Sequence, residues 1–137
     1  GLGDVYKRQA TRLYQNNARV HFNNHIEKDG RFGKRIIYGG YIISLARAIS
    51  CNGLANAFKI LAIHSGRHAA PTFSGDTIYA WSKILKKKKI DDNLGTLLVR
   101  TIASKNDSKI NFPDKDKLTE NMVLDLEYSV LIPVKKK

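Results

Sequence analysis

In the run Gly39-Gly40-Tyr41-Ile42-Ile43-Ser44-Leu45-Ala46-Arg47-Ala48-Ile49-Ser50-Cys51-Asn52, the residues Ile42, Leu45, Ala46 and Ile49 recur at i, i+3, i+4 and i+7. That is the spacing of one helix face. Asn52-Gly53 offers a C-cap, so the pattern predicts a helix from Gly39 to about Asn52. The glycine pair opens the helix with bare backbone N–H groups, and the helix dipole adds positive potential at the same end.

Upstream, Asn16, Asn17, His21, Asn23, Asn24 and His25 put six polar groups into ten residues. A histidine ahead of an anion-friendly helix start outlines an acid–base site with an oxyanion hole. Ala10 to Tyr14 leads into this cluster as a short helix or turn, and Glu27 to Arg35, charged and punctuated by glycine, reads as a loop.

Downstream the period changes from helical to alternating. Phe58, Ile60, Ala62 and His64 share one face of a first strand; Thr77 to Leu85, with Ile78, Tyr79 and Trp81, is a second. Leu97 to Ser104 is a third, with Leu97, Val99, Thr101 and Ala103 on one side. The cleanest alternation is the fourth, with Met122, Leu124, Leu126, Tyr128, Val130 and Ile132 inward and Asp125, Glu127 and Ser129 outward. Asn106 to Ser108 and Phe112 to Lys117 read as loops. The connections are too short for crossover helices. One long helix and four strands therefore predict an α+β fold in which an antiparallel sheet wraps around a central helix.

With 137 residues, the expectation is one folded unit. Twenty-four basic residues against 12 acidic ones give a net charge of +12. Lys86 to Lys89 falls at an expected turn and Lys135 to Lys137 at the end of the chain, and neither run interleaves with aromatics as a single-strand-binding surface would. Frequent Lys, Asn and Ile also follow from AT-rich codons, so no specific nucleic-acid partner is expected. The lone cysteine, Cys51, excludes an intrachain disulfide and reads as a small core residue of a cytoplasmic protein. No apolar run reaches the length of a membrane span, and no membrane partner is expected. Gly1 to Gln9 resembles translated sequencing-adaptor sequence, with a disordered native tail as the alternative, so residues 1–9 are set apart as a non-native or disordered leader and 10–137 form the domain.

Asn16-Asn17-Ala18-Arg19-Val20-His21, Tyr38-Gly39-Gly40-Tyr41 and Pro71-Thr72-Phe73-Ser74-Gly75-Asp76-Thr77 together resemble the MaoC-like (R-specific enoyl-CoA hydratase) family. In that family an Asp-x-Asn-Pro-x-His segment precedes a His-Gly-Met-Leu helix start and a Pro-Val-x-x-Gly-Asp turn, and the interval from His21 to Gly39 matches. Ala10 to Asn16, Ile43 to Ala48, Asn52-Gly53-Leu54 and Val123 to Leu126 are similar to the C-terminal half of its mesaconyl-CoA hydratase (β-methylmalyl-CoA dehydratase) branch.

The resemblance implies a hot-dog fold lacking its first strand, one half of a longer double hot dog. It implies reversible hydration of an α,β-unsaturated acyl-CoA, mesaconyl-CoA or β-methylmalyl-CoA, without a cofactor. The expected partner is an N-terminal hot-dog half or a second copy of the chain.

By the same resemblance His21 is the catalytic histidine and the Gly39 backbone N–H polarises the thioester carbonyl, with Tyr38 and Gly40 beside it. Asn16 stands where the family has aspartate; an amide cannot accept a proton, so its role would be to orient water or the imidazole. Arg19 replaces the family's proline and suits the free carboxylate of a dicarboxylic acyl group, with Arg35 and Arg47 as alternatives. His64 lines the acyl pocket or is a hydrogen-bonded core residue, while His25 and His68 read as surface or structural. His21 and His25 at i, i+4 make a weak metal pattern, and no metal is expected. Asp76 belongs to the Gly-Asp turn. Two other functions suit the same residues: a non-catalytic acyl-CoA-binding or scaffolding module, and a hot-dog thioesterase.

Overall fold

The structure, a computed structural model, describes residues 9–109, 111–114, 117 and 119–135. All of the leader except Gln9, and the end of the terminal lysine run, lie outside the described residues. Residues 9–13 are helical, and a 3₁₀ turn at Arg19–His21 and a short helix at Asn24–Glu27 follow. The central helix, Gly39–Ile49, is succeeded by a single helical turn at Cys51–Leu54. Four strands come next: β1 Lys59–Arg67, β2 Ile78–Lys89, β3 Leu94–Lys105 and β4 Met122–Pro133. They form one antiparallel sheet in the order β1-β4-β3-β2.

The core lies between the helix and the inner sheet face. Ile42 and Ala46 pack against Leu97, Val99, Ala103, Leu126, Tyr128 and Val130, all buried. The expected alternation of β4 holds from Leu124 to Val130, because one face meets the helix while Asp125, Glu127 and Ser129 point outward and are only half-buried; at the start of the strand Met122, Val123 and Leu124 are all buried. The outer face of the sheet centre is covered as well. There the buried Arg100 makes a two-pronged pair with Asp125 (Nε to Oδ1 2.9 Å, Nη2 to Oδ2 2.8 Å) and donates from Nη1 to Pro113 O at 2.7 Å. The guanidinium lies 5.3 Å from the centroid of Phe112. Removing one member of such a buried pair leaves the other charge unmatched, at about 3–5 kcal/mol.

Four local expectations are corrected. The helix ends at Ile49, not Asn52: Ser50 turns its hydroxyl back onto Ala46 O, and Gly53 falls within the next helical turn instead of capping the first. Ile49 is 43% exposed, because the sheet covers the helix along the Ile42–Ala46 stripe only. Cys51 is exposed, being placed beyond that break. Lys86 to Lys89 lies within β2, not in a turn, pairing backbone to backbone with Leu98 through Gly95. β2 is an edge strand, so its lysines reach water while the backbone stays in the ladder.

β1 forms the opposite edge and is exposed along its whole length. Register shifts between Ile60 and Ala62 and between Ile63 and Ser65 interrupt the alternation expected there. Among the described residues no strand precedes the central helix, and no helix is long and apolar enough to cross a membrane.

Candidate active site

The site is assembled by a short extended segment, Ile36–Ile37, that is held from both sides. Ile36 N–H donates to Val20 O (3.2 Å), and Ile37 N–H donates to Thr72 O (2.8 Å). The first bond draws the 3₁₀ turn carrying His21 to the start of the central helix. The second draws in the segment after β1, which is itself tied to β4 by Ala69 N–H on Val123 O and to β3 by Lys105 Nζ on Pro71 O. An open cleft of about 430 Å³ results, lined by His21, Gly39, Ile42, His68, Thr72 and Arg31 among others.

His21 is half-buried, and its Nδ1 lies 3.0 Å from Ile36 O. A carbonyl oxygen only accepts, so Nδ1 carries the proton and, in the neutral ring, Nε2 carries the free lone pair. The ring meets Tyr38 edge-on at 5.6 Å, and Tyr38 meets Tyr14 at 5.8 Å. The Tyr14 hydroxyl lies 2.9 Å from Ser44 Oγ, whose own proton goes to Gly40 O at 3.0 Å, so the tyrosine is the donor of that pair. Tyr38 thus works as a wedge between the histidine and the helix start, packed so closely on Gly40 that an added Cβ would come within 2.5 Å of its ring.

The N–H groups of Gly39 and Gly40 donate to no other described residue. They stand at the positive end of the central helix, where developing negative charge is stabilised. His68 lies directly against Gly39: a Cβ there would fall 2.6 Å from the His68 Nε2. The sequence reads His68 as surface or structural and nothing in its spacing marks it, because the segment that carries it is brought to the helix start by the Ile37–Thr72 bond.

The other residues singled out from sequence lie elsewhere. Asn16 accepts the Ala18 N–H on its Oδ1 at 2.9 Å, fixing the turn before Arg19–His21, and lines a separate hollow with Arg12 and Asn17. Arg19 has its Nε 3.8 Å from Glu27 Oε1 and lines another hollow with His25, Glu27 and Asp29. His64 is exposed on the edge strand, with Nε2 2.6 Å from Ser129 Oγ, so it is neither a core residue nor a lining residue of the His21 cleft. Arg47 lies over the Tyr128 ring at 5.5 Å and lines a separate hollow with Ser44, Ala48 and Cys51.

Asp76 serves the turn as expected. It accepts Phe73 N–H at 2.8 Å and the Asn106 amide at 2.9 Å. Partial burial pushes its carboxyl upward, but those two donors, with Lys105 and Lys34 nearby, outweigh that and hold it below its ordinary value. Among the described residues no three His, Cys, Asp or Glu side chains gather as a metal site.

A four-stranded antiparallel sheet on one central helix defines a hot-dog domain, and the chain is homologous to MaoC-type dehydratases. It is 58% identical over 130 residues to the β-methylmalyl-CoA dehydratase of Chloroflexus aurantiacus, covering 91% of this chain and 37% of that protein. It is 46% identical over 127 residues to the mesaconyl-CoA hydratase of Cereibacter sphaeroides, covering 90% and 36%. Among solved structures, a MaoC domain protein dehydratase from Chloroflexus aurantiacus superposes with a TM-score of 0.90 at 54% identity, over 97% of this chain and 39% of that one. A Mycobacterium tuberculosis protein described as a double hotdog fold matches at 0.72 and 28% identity, over 93% and 35%. No protein-family model matches the chain. The chain spans a little over a third of the length of the curated relatives it matches.

Proposed function

We propose that the chain carries the hydratase site of an acyl-CoA lyase, adding water reversibly across an α,β-unsaturated acyl thioester of the mesaconyl-CoA/β-methylmalyl-CoA kind. The observation that carries this reading is the shared cleft: His21, with Nε2 free, lines the same space as Gly39, whose amide is bare at the helix start. The names of the two curated relatives supply the substrate class.

His21 Nε2 takes a proton from water as the water oxygen bonds to Cβ of the enoyl group. The double-bond electrons move toward the thioester carbonyl, whose oxygen gains negative charge against Gly39 N–H. The imidazolium then returns the proton to Cα, and dehydration is the same path reversed. Tyr38 and Gly40 shape the helix start, and Asn16 acts through the backbone, holding the turn that presents His21. The reaction is assigned to the cytoplasm, in keeping with the single free thiol.

The chain is read as one half of a paired assembly, with a further hot-dog half or a second copy as partner. The edge strand β1 supports this, since Leu61 is 46% and Ile63 60% exposed, on a strand with a free hydrogen-bonding edge. A spectrophotometric assay tests the activity. Loss of enoyl absorbance without thiol release marks a hydratase, thiol release marks a thioesterase, and binding with neither signal marks a scaffolding module.

A further inference from the structure

The cleft contains two nitrogen-bearing side chains that the reaction above does not use, Arg31 and His68. Arg31 makes one described contact, with its Cζ 5.2 Å from the Phe32 ring centroid, and no ion pair with a described carboxylate. His68 makes no described hydrogen bond, and its ring abuts Gly39. Among the described residues that line the cleft there is no carboxylate. Cationic charge, side-chain N–H donors and the bare Gly39 amide thus share one space without an internal counter-charge, a setting that favours an anionic ligand beyond the thioester oxygen alone.

The sequence offers Arg19 for the free carboxylate of a dicarboxylic acyl group, but its surroundings oppose that role. Arg19 is already matched to Glu27, and Asp29 lines the same hollow, so an incoming carboxylate would meet two like charges. Arg31 has no such competitor in its cleft, and a guanidinium fork fits a carboxylate with two parallel bonds.

We infer that Arg31, assisted by an N–H of His68, forms the subsite for a second carboxylate on the acyl chain and thereby selects dicarboxylic over monocarboxylic enoyl thioesters. This rests on the acyl-thioester reading of the cleft and adds which residues set its preference. Arg31 supplies the two-pronged fork, and His68, which lines the same cleft and abuts Gly39, supplies a further N–H.

The test is calorimetric binding of fumaryl-CoA and crotonyl-CoA, which differ by a carboxylate in place of a methyl group, to the 137-residue chain. The wild type should bind the fumaryl thioester roughly 10- to 100-fold more tightly. Arg31→Gln should remove most of that preference while leaving crotonyl-CoA affinity near the wild-type value, Arg31→Lys should restore part of it, and His68→Gln should erode it less. The unchanged crotonyl-CoA affinity separates a lost carboxylate contact from a damaged fold.

Equal binding of the two thioesters by the wild type, binding of neither, or an intact preference in Arg31→Gln would each overturn the subsite. So would a loss of preference confined to Arg19→Gln. A preference that depends on Arg31 in a chain that hydrates neither thioester would uphold the subsite and sink the hydratase reading. Hydration of both without preference would do the reverse.

Discussion

The imidazole of His68 lies so close to Gly39 that a methyl group there would come within 2.6 Å of its Nε2. The obstacle is the tip of an exposed side chain, so an alanine at position 39 would displace the ring without breaking the backbone. Gly39→Ala should therefore melt close to the wild type while lowering hydration by about 10- to 100-fold, through crowding of the oxyanion position. Thermal melting beside kcat/KM checks both halves. A large loss of stability would mean that the helix start, not the cleft, is what the glycine protects.

Asn16 holds the turn before His21 by accepting the Ala18 N–H. An aspartate offers the same acceptor and an alanine offers none. Asn16→Asp should keep stability and turnover within a few-fold of the wild type. Asn16→Ala should lower stability by about 1 kcal/mol and loosen the presentation of His21, lowering kcat. Chemical unfolding and steady-state kinetics on both variants distinguish this anchor from a group acting directly on water, for which Asp and Ala would both disrupt the rate.

The Asp76 carboxyl carries a pH signature. Its folded pKa lies below the ordinary value of 3.8, so its stabilising contribution is fully present above that value and is lost as the pH falls through the folded value. Asp76→Asn should be less stable than the wild type at about pH 7, and the gap should narrow below about pH 3.8. Urea midpoints at neutral and acid pH measure it; a gap independent of pH would mean that the charge of Asp76 does not matter to the turn.

How much of this was legible in the sequence depends on how local the cause is. β4 was readable because burial of one face imposes a period of two on Leu124 through Val130. β1 was misleading because an exposed edge strand with two register shifts leaves no face for its pattern to obey. Lys86 to Lys89 looked like a turn because side-chain charge reveals nothing of backbone pairing with Leu98 through Gly95. In the site, the interval from His21 to Gly39 survives as a motif because both belong to one continuous stretch. Arg31 belongs to that same stretch but sits in a charged loop where no motif marks it, while His68 enters the cleft only after Ile37 bonds to Thr72, a contact across 35 residues that no local pattern encodes.

The central claim is that His21 Nε2, freed by the bond from Nδ1 to Ile36 O, moves the proton in hydration. The decisive measurement is the rate of enoyl absorbance loss with a mesaconyl-type thioester for the wild type and His21→Ala, each checked for an unchanged circular dichroism spectrum and melting curve. The expected result is a fall in kcat of roughly 10²–10⁴-fold in a folded variant that still binds the thioester. A folded His21→Ala chain that hydrates at the wild-type rate would contradict the account.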